Sequence, residues 1–143
     1  MIKQRIDTLL NEFSEVSDWE ERYRRIIAKG KNLAPLPEEA RVEANKVKGC
    51  QSQVWLFAEL NEGKVIFHAD SDASIVKGII ALLLEIYSGA TPDEILQTEA
   101  KFIDQLELKQ HLSMNRSNGL AAMLKQISIY AFAFKTKMQM GLA

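Results

Sequence analysis

The strongest constraint on the fold is a glycine turn that carries the chain's single cysteine and leads directly into a strand-forming run. Gly49 precedes Cys50, the polar residues Gln51 and Ser52 follow it, and an apolar run occupies residues 54–58. Glycine adopts backbone conformations that other residues rarely reach, so it permits a tight turn at this point. The pattern predicts that Cys50 lies at the tip of a loop held by a rigid scaffold, a common arrangement for reactive groups.

Composition indicates one soluble globular domain spanning residues 1–143, because 47% of the residues are hydrophobic and 26% are charged. A net charge of −1 and a pI of 6.1 argue against binding to nucleic acid or to an anionic membrane surface. The first residues lack the apolar core of a signal peptide, and the longest apolar runs are too short to span a bilayer. One cysteine cannot form an internal disulfide, so we expect a cytoplasmic protein in a reducing compartment.

Residue periodicity predicts an α+β fold in which helices flank a small, about three-stranded antiparallel sheet. Strand-forming runs at residues 45–48, 53–60 and 65–69 are separated by the cysteine turn and by a turn at residues 61–64. The short connections make neighbouring strands antiparallel. The continuous apolar run at residues 54–58 indicates a sheet that is covered on both faces.

Apolar positions that recur every three to four residues predict helices on both sides of this sheet. Asp18 is the predicted cap of the second helix, and Gly30 is its predicted end. Ser71 or Asp72 is expected to cap the third helix, and Thr91 the fourth. The predicted helices cover residues 2–13, 18–30, 72–87, 91–97 and 115–137, with an extended strap containing two prolines at residues 33–37 and a frayed end at residues 138–143.

The chemistry available to Cys50 depends on its ionisation, because a thiol is a nucleophile only as the thiolate and its ordinary pKa is about 8.5. In an extended segment Lys46 and Lys48 point to the same side as Cys50, where they either favour the thiolate or form a solvated surface. A buried structural role for the cysteine is also open, since free cysteine is among the most buried residue types. Its place on a glycine turn among polar neighbours favours a functional role.

Other catalytic arrangements fit the sequence poorly. His68 and His111 are the only histidines, and neither stands in a local motif with the cysteine. Zinc and iron–sulfur sites need several cysteines or cysteine–histidine clusters at set spacings. Glycine-rich phosphate and dinucleotide motifs are also missing from the sequence. Single-thiol chemistry remains, in which Cys50 accepts a group, carries it and hands it on.

Several motifs recur in order along most of the chain and together are typical of a known family. The most specific is GCQSQVWL at residues 49–56, followed by SDASIVKG at residues 71–78 and RSNGL at residues 116–120. With these motifs the chain resembles the SufE/CsdE family of sulfur acceptors, which are partners of cysteine desulfurases. The resemblance extends to about Ala131, and no position to which we assign a role departs from the family pattern.

The resemblance implies that Cys50 accepts sulfane sulfur as a persulfide from a PLP-dependent cysteine desulfurase of the SufS or CsdA type. The sulfur then passes to a downstream acceptor or an iron–sulfur scaffold, and its removal stimulates the desulfurase. On this view the chain is an accessory protein without independent turnover. PLP belongs to the partner, so no cofactor or metal is expected in this chain, and neither nucleic acid nor a membrane is an expected partner.

The resemblance further implies that Cys50 rests in a shielded pocket and that its loop swings out to reach the partner. Gly49, Gln51 and Ser52 then support the loop. We predict that Asp72, just after the third strand, and Arg116, at the start of the last helix, border it. For Arg116 two roles stay open, contact with a carboxylate or the partner, and a salt bridge that holds the start of the helix.

Two alternative functions follow from the same sequence. A non-catalytic adaptor would dock and regulate the desulfurase without carrying sulfur, and replacement of Cys50 by serine would leave its stimulation intact. An iron–sulfur scaffold of the IscU type is expected to share a similar fold. It is disfavoured because such a scaffold uses several cysteines and this chain has one.

Overall fold

The computed structural model describes residues 2–142, in which helices flank a two-stranded antiparallel sheet. This confirms the predicted α+β class. Within residues 2–142, no helix combines the length and the apolar character that crossing a bilayer requires. In chain order the elements are α1 (Ile2–Ser14), α2 (Trp19–Lys31), 3-10 turns at Glu38–Ala40 and Glu43–Asn45, β1 (Val54–Asn61), β2 (Lys64–Ser71), α3 (Ser74–Tyr87), α4 (Pro92–Gln97), α5 (Phe102–Gln105), α6 (Leu108–His111) and α7 (Met114–Gln139).

The sheet is a hairpin of β1 and β2, and its register places Val54 opposite Ser71 at the end that adjoins Cys50. Glu62 and Gly63 connect the strands with positive φ angles of 52° and 79°. Positive φ at both central residues is the requirement of a type I′ turn, whose twist matches that of the flanking strands. The predicted hairpin is therefore confirmed.

The third strand predicted at residues 45–48 is wrong, because the described part of the sheet has two strands. Lys46 makes an isolated bridge to Trp55, and the backbone N–H of Val47 donates to the carbonyl oxygen of Val54 at 2.8 Å. A 3-10 turn at Glu43–Asn45 ends directly before this contact. The backbone is therefore extended over too short a stretch to build a ladder.

The hairpin is covered on both faces near Cys50, as the apolar run in β1 predicted. On the inner face, side chains of both strands join the main core together with α1, α3 and α7. On the outer face, Trp55 packs against Leu36 and Ala40 from the segment between α2 and β1. The guanidinium carbon of Arg41 lies 5.2 Å from the centre of the Trp55 ring, and its Nη2 pairs with the buried Asp70 of β2. This pairing fixes the segment between α2 and β1 to the sheet.

Glycines allow α2 and α3 to pack with their backbones in close contact. A Cβ placed on Gly78 would lie 2.3 Å from the carbonyl oxygen of Ile26, and one on Gly30 would lie 2.7 Å from the backbone nitrogen of Gly78. The prediction that Gly30 ends α2 is wrong, because the helix continues to Lys31 and is capped by Asn32. Gly30 serves the helix contact instead.

The starts of the later helices differ from prediction in one important case. Helix α3 begins at Ser74 after Ala73 and has no side-chain cap, so the predicted caps Ser71 and Asp72 are wrong. Ser71 ends β2, and Asp72 bonds to the segment before β1. The predicted Thr91 capping box of α4 is confirmed.

The last helix, α7, is longer than predicted at both ends. It runs from Met114 to Gln139, whereas the prediction placed its limits near Asn115 and Lys137. The side chain of Ser113 caps its first turn by accepting from the backbone N–H of Arg116 at 3.3 Å. Part of the segment expected to fray is therefore helical, and Ala143 lies outside the described residues.

The contact between α2 and α3 predicts that Gly78→Ala lowers the free energy of unfolding by about 1–3 kcal/mol, because the added methyl group meets rigid backbone. Urea denaturation followed by circular dichroism measures this change. Ser128→Ala, on the exposed face of α7, is the control and should alter the unfolding free energy by less than about 0.5 kcal/mol. Equal stability of Gly78→Ala and the parent would contradict the close packing.

Candidate functional site

Cys50 stands on a loop, residues 49–53, that we call the Cys loop; it leads into the first residue of β1. Gly49 has a φ of 94°, a conformation that residues with a Cβ rarely adopt. Space is not the limit there, since a Cβ on Gly49 would make an ordinary contact at 3.5 Å with Ala122 of α7. The turn itself therefore requires glycine, as the sequence predicted.

Helix α7 receives the Cys50 side chain at a second glycine. The Sγ atom donates to the carbonyl oxygen of Gly119 at 3.7 Å. A Cβ on Gly119 would lie 3.4 Å from Sγ and 3.9 Å from the Cα of Cys50, which are ordinary van der Waals distances. The thiol thus packs against α7 at a position without a side chain and reaches the helix backbone there.

A cavity of about 80 Å³ lies beside the thiol and is bounded by the Cys loop, α3 and α7. This volume exceeds what a single water molecule needs, so an added atom on Sγ can be accommodated. The walls are apolar side chains and the α7 backbone, whereas the loop and the start of α7 add polar groups. The lining residues are Cys50, Gln51, Ser52, Val76, Ile79, Asn115, Arg116, Gly119 and Met123.

Burial raises the pKa of the Cys50 thiol above its ordinary value. The half-buried thiol is therefore protonated at neutral pH in this conformation, consistent with its donation to Gly119. Two roles were open for Lys46 and Lys48, support of the thiolate or a solvated surface, and in this conformation burial alone shifts the Cys50 pKa, in the upward direction. Lys46 pairs instead with Glu43, with Nζ 3.1 Å from the carboxylate.

Asp72 lies at the end of the Cys loop that joins β1. Its carboxylate Oδ1 accepts from the backbone N–H of Gln53 at 3.1 Å, and its own backbone N–H donates to the carbonyl oxygen of Gln53 at 3.3 Å. These bonds extend the β1–β2 pairing by one further contact beyond Val54 and Ser71. The structure thus brings Asp72 to the border of the loop.

Arg116 lies in the first turn of α7, lines the cavity and is exposed to solvent. Its Nη1 is 3.5 Å from the hydroxyl oxygen of Tyr23 in α2, a long contact. The guanidinium group therefore stands at the mouth of the cavity with most of its donors turned to solvent. This is a position from which it can meet an approaching carboxylate.

Sequence reasoning missed Asn115, Gly119 and Met123 as parts of the site. The Nδ2 of Asn115 donates to the Oε1 of Gln51 at 3.0 Å, which joins the Cys loop to α7. The three residues are spaced by four, so they share one face of the helix. That spacing was readable in the sequence, but nothing local showed that this face meets the Cys loop.

The two histidines lie outside this cavity. His68 stacks on Phe57 with ring centres 4.8 Å apart, and His111 stacks on Trp19 at 4.1 Å. Within residues 2–142, no group of three or more histidine, cysteine or acidic side chains is arranged to hold a metal ion. The described chemistry of the site therefore centres on Cys50.

Comparison with known proteins adds a family match and a structural neighbour. The family model described as "SufE: Fe-S metabolism associated domain" matches residues 7–131, which include every residue of the cavity lining. The fold is also similar to the solution structure of a hypothetical protein from Thermus thermophilus, with a TM-score of 0.78 and 23% identity. That likeness covers 92% of this chain and 96% of the other, and it shows a shared fold.

The raised pKa of Cys50 predicts how the thiol reacts with iodoacetamide. Because burial holds the thiol protonated, the midpoint of the rate against pH should lie above that of a short cysteine peptide with blocked ends in the same buffer. Mass spectrometry follows the reaction without ambiguity, since the chain has one cysteine. In urea the midpoint should return to the value of the reference compound. A midpoint of the folded protein at or below that value would contradict the claim that burial raises the pKa of Cys50.

Proposed function

Because the chain belongs to the SufE family of Fe–S metabolism associated domains, we propose that it accepts sulfane sulfur as a persulfide on Cys50 from a cysteine desulfurase. The sulfur then passes to a downstream acceptor or scaffold for iron–sulfur cluster assembly. The observation that carries this proposal is the cavity of about 80 Å³ beside the Cys50 sulfur. It offers a place for one additional sulfur atom.

The transfer is a thiol exchange in which no net oxidation occurs. The Cys50 thiolate attacks the outer sulfur of a persulfide on the desulfurase, a new S–S bond forms, and the bond inside the desulfurase persulfide breaks. The electron pair of that bond leaves with the desulfurase cysteine as a thiolate. Cys50 then carries the persulfide, and the desulfurase is free for another turnover. PLP acts in the partner, and the proposal needs no cofactor in this chain.

The walls of the cavity suit a stored persulfide. Val76 and Ile79 of α3 and Met123 of α7 are buried apolar side chains that line it. Such walls offer no polar partner to water on that side of the cavity and limit the access of oxidants to a sulfur that oxidises readily. We place the protein in the cytoplasm, where a reducing environment keeps a single thiol from forming mixed disulfides.

The same shelter requires the Cys loop to move during transfer. In the described conformation the thiol is half-buried and its pKa is raised by burial, so it is a poor nucleophile. Moving Cys50 into the partner's site would remove it from the α7 backbone. Asp72 holds the β1 end of the loop at Gln53, and Arg116 stands at the mouth where the partner would approach.

We expect Arg116→Ala to slow sulfur transfer about fivefold without unfolding the protein. Loss of a charge-assisted contact to a partner costs on the order of 1 kcal/mol, and the side chain makes one long contact to Tyr23 within the described chain. Lys125→Ala removes an exposed cation from the same helix and is the matched control. If Arg116→Ala transfers sulfur as fast as the Lys125→Ala control, Arg116 has no role in contact with the partner.

A non-catalytic adaptor is the second candidate function. The polar residues at the mouth of the cavity, Gln51, Ser52, Asn115 and Arg116, would give such an adaptor a docking surface around Cys50. The Cys50→Ser variant separates the two functions, because an adaptor keeps its stimulation of the desulfurase and a sulfur acceptor loses it.

The deciding experiment is intact-protein mass spectrometry under non-reducing conditions, after mixing the protein with a cysteine desulfurase, PLP and L-cysteine. One added sulfur atom should raise the mass by about 32 Da, and dithiothreitol should reverse the gain. Cys50→Ser should show no gain. If the wild-type protein binds the desulfurase and gains no mass, the adaptor is favoured and the carrier is refuted.

A further inference from the structure

The tip of the Cys loop is attached to α7 by contacts that are individually weak. The Cys50 thiol donates to the Gly119 carbonyl at 3.7 Å, and the Gln51 side chain accepts from Asn115 at 3.0 Å. Both amide side chains are exposed, so water can replace each partner when the bond opens. Bonds of this kind add little to the stability of the fold but can bias a local equilibrium.

We propose that the Gln51–Asn115 hydrogen bond is a latch that keeps the Cys loop closed, and that Asn115 is a positioning residue which sets how often the thiol is presented. The inference rests on the proposed function in so far as Cys50 is the reacting group. Asn115 takes no part in the hydrogen bond of the thiol to Gly119, and in the proposed latch it acts through Gln51.

The ends of the loop favour movement about its tip. Gln53 is held by Asp72 through both backbone and side-chain bonds, so the β1 end stays with the sheet. At the other end Gly49 already has a positive φ and carries no Cβ to hinder rotation. The residues free to swing are therefore Cys50 to Ser52, and within this tip the Gln51 side chain makes the shorter of the two bonds to α7, 3.0 Å against 3.7 Å for the Cys50 thiol.

Opening the latch also changes how readily the Cys50 thiol loses its proton. In the closed loop the thiol is half-buried and protonated, and in the open loop it faces water, where ionisation is easier. Among the residues that line the cavity, Arg116 is the charged side chain that accompanies Cys50. Lys48 precedes the loop in sequence, and the Asp72 carboxylate accepts from the backbone N–H of Gln53 at its other end.

The test measures alkylation of Cys50 by iodoacetamide in the protein alone. Loss of one hydrogen bond should increase the open fraction, so Asn115→Ala should react about twofold to tenfold faster near neutral pH. The midpoint of its pH profile should move down towards that of a free cysteine. Asn118→Ala makes the same chemical change on an exposed position of the same helix, outside the cavity lining, and should leave both quantities unchanged.

A double-mutant cycle separates the latch from a general loosening of the site. Gln51→Ala should give the same acceleration as Asn115→Ala, and the double variant should react no faster than either single variant. Urea unfolding should show a loss of stability no larger than the rate change corresponds to, about 0.4–1.4 kcal/mol for a twofold to tenfold effect, because the bond joins exposed side chains. A rate for Asn115→Ala equal to that of Asn118→Ala, or effects that multiply in the double variant, would overturn the proposal.

The outcome is independent of sulfur acceptance, because no desulfurase is present. Failure of Cys50 to gain sulfur from a desulfurase would refute the proposed function and leave the latch standing. If the double-mutant cycle shows no shared effect of Gln51→Ala and Asn115→Ala on alkylation, the latch is refuted and the proposed function is unaffected. If both hold, Asn115→Ala should also accept sulfur faster at low desulfurase concentration, where loop opening limits the encounter.

Discussion

The close contact between α2 and α3 positions the helix on which the Cys50 site depends. Gly30 and Gly78 have no side chains, so the two backbones meet where any Cβ would clash. Helix α3 is apolar around most of its surface and is packed against α1, α2 and β2, which fixes it from several sides. Two of its residues, Val76 and Ile79, form one wall of the cavity beside the thiol. The shape of the site therefore follows from a helix contact made elsewhere.

The contact of the Cys loop with α7 differs in kind from this helix contact. At Gly119 a cysteine side chain on a loop packs against the helix, and the contact is a weak sulfur hydrogen bond to a helix carbonyl. The contact between α2 and α3 is stable, because many buried side chains pack around it. The contact of the loop with α7 can open reversibly, because water can replace the groups that form it.

The sequence predicted best where a local signal determines the structure. The Thr91 capping box and the glycine turn at Cys50 depend on neighbouring residues, and both are found. The prediction failed for Gly30, because glycine serves equally at a helix end and at a helix contact, and only the packing partner distinguishes them. It also missed Asn115, whose bond to Gln51 joins residues distant in sequence. The burial that raises the Cys50 pKa comes from α3 and α7 and is equally invisible in the local sequence.

The volume beside Cys50 also selects what the thiol can become while the loop is closed. A cavity of about 80 Å³ accepts an addition of one or two atoms on sulfur, such as a persulfide or a sulfenic acid. It is far too small to enclose glutathione, so the tripeptide of such a mixed disulfide would have to extend out of the cavity into solvent. With the loop closed, a one-atom addition on Cys50 would be enclosed by apolar side chains, whereas a bulkier disulfide would stay exposed to attack by other thiols.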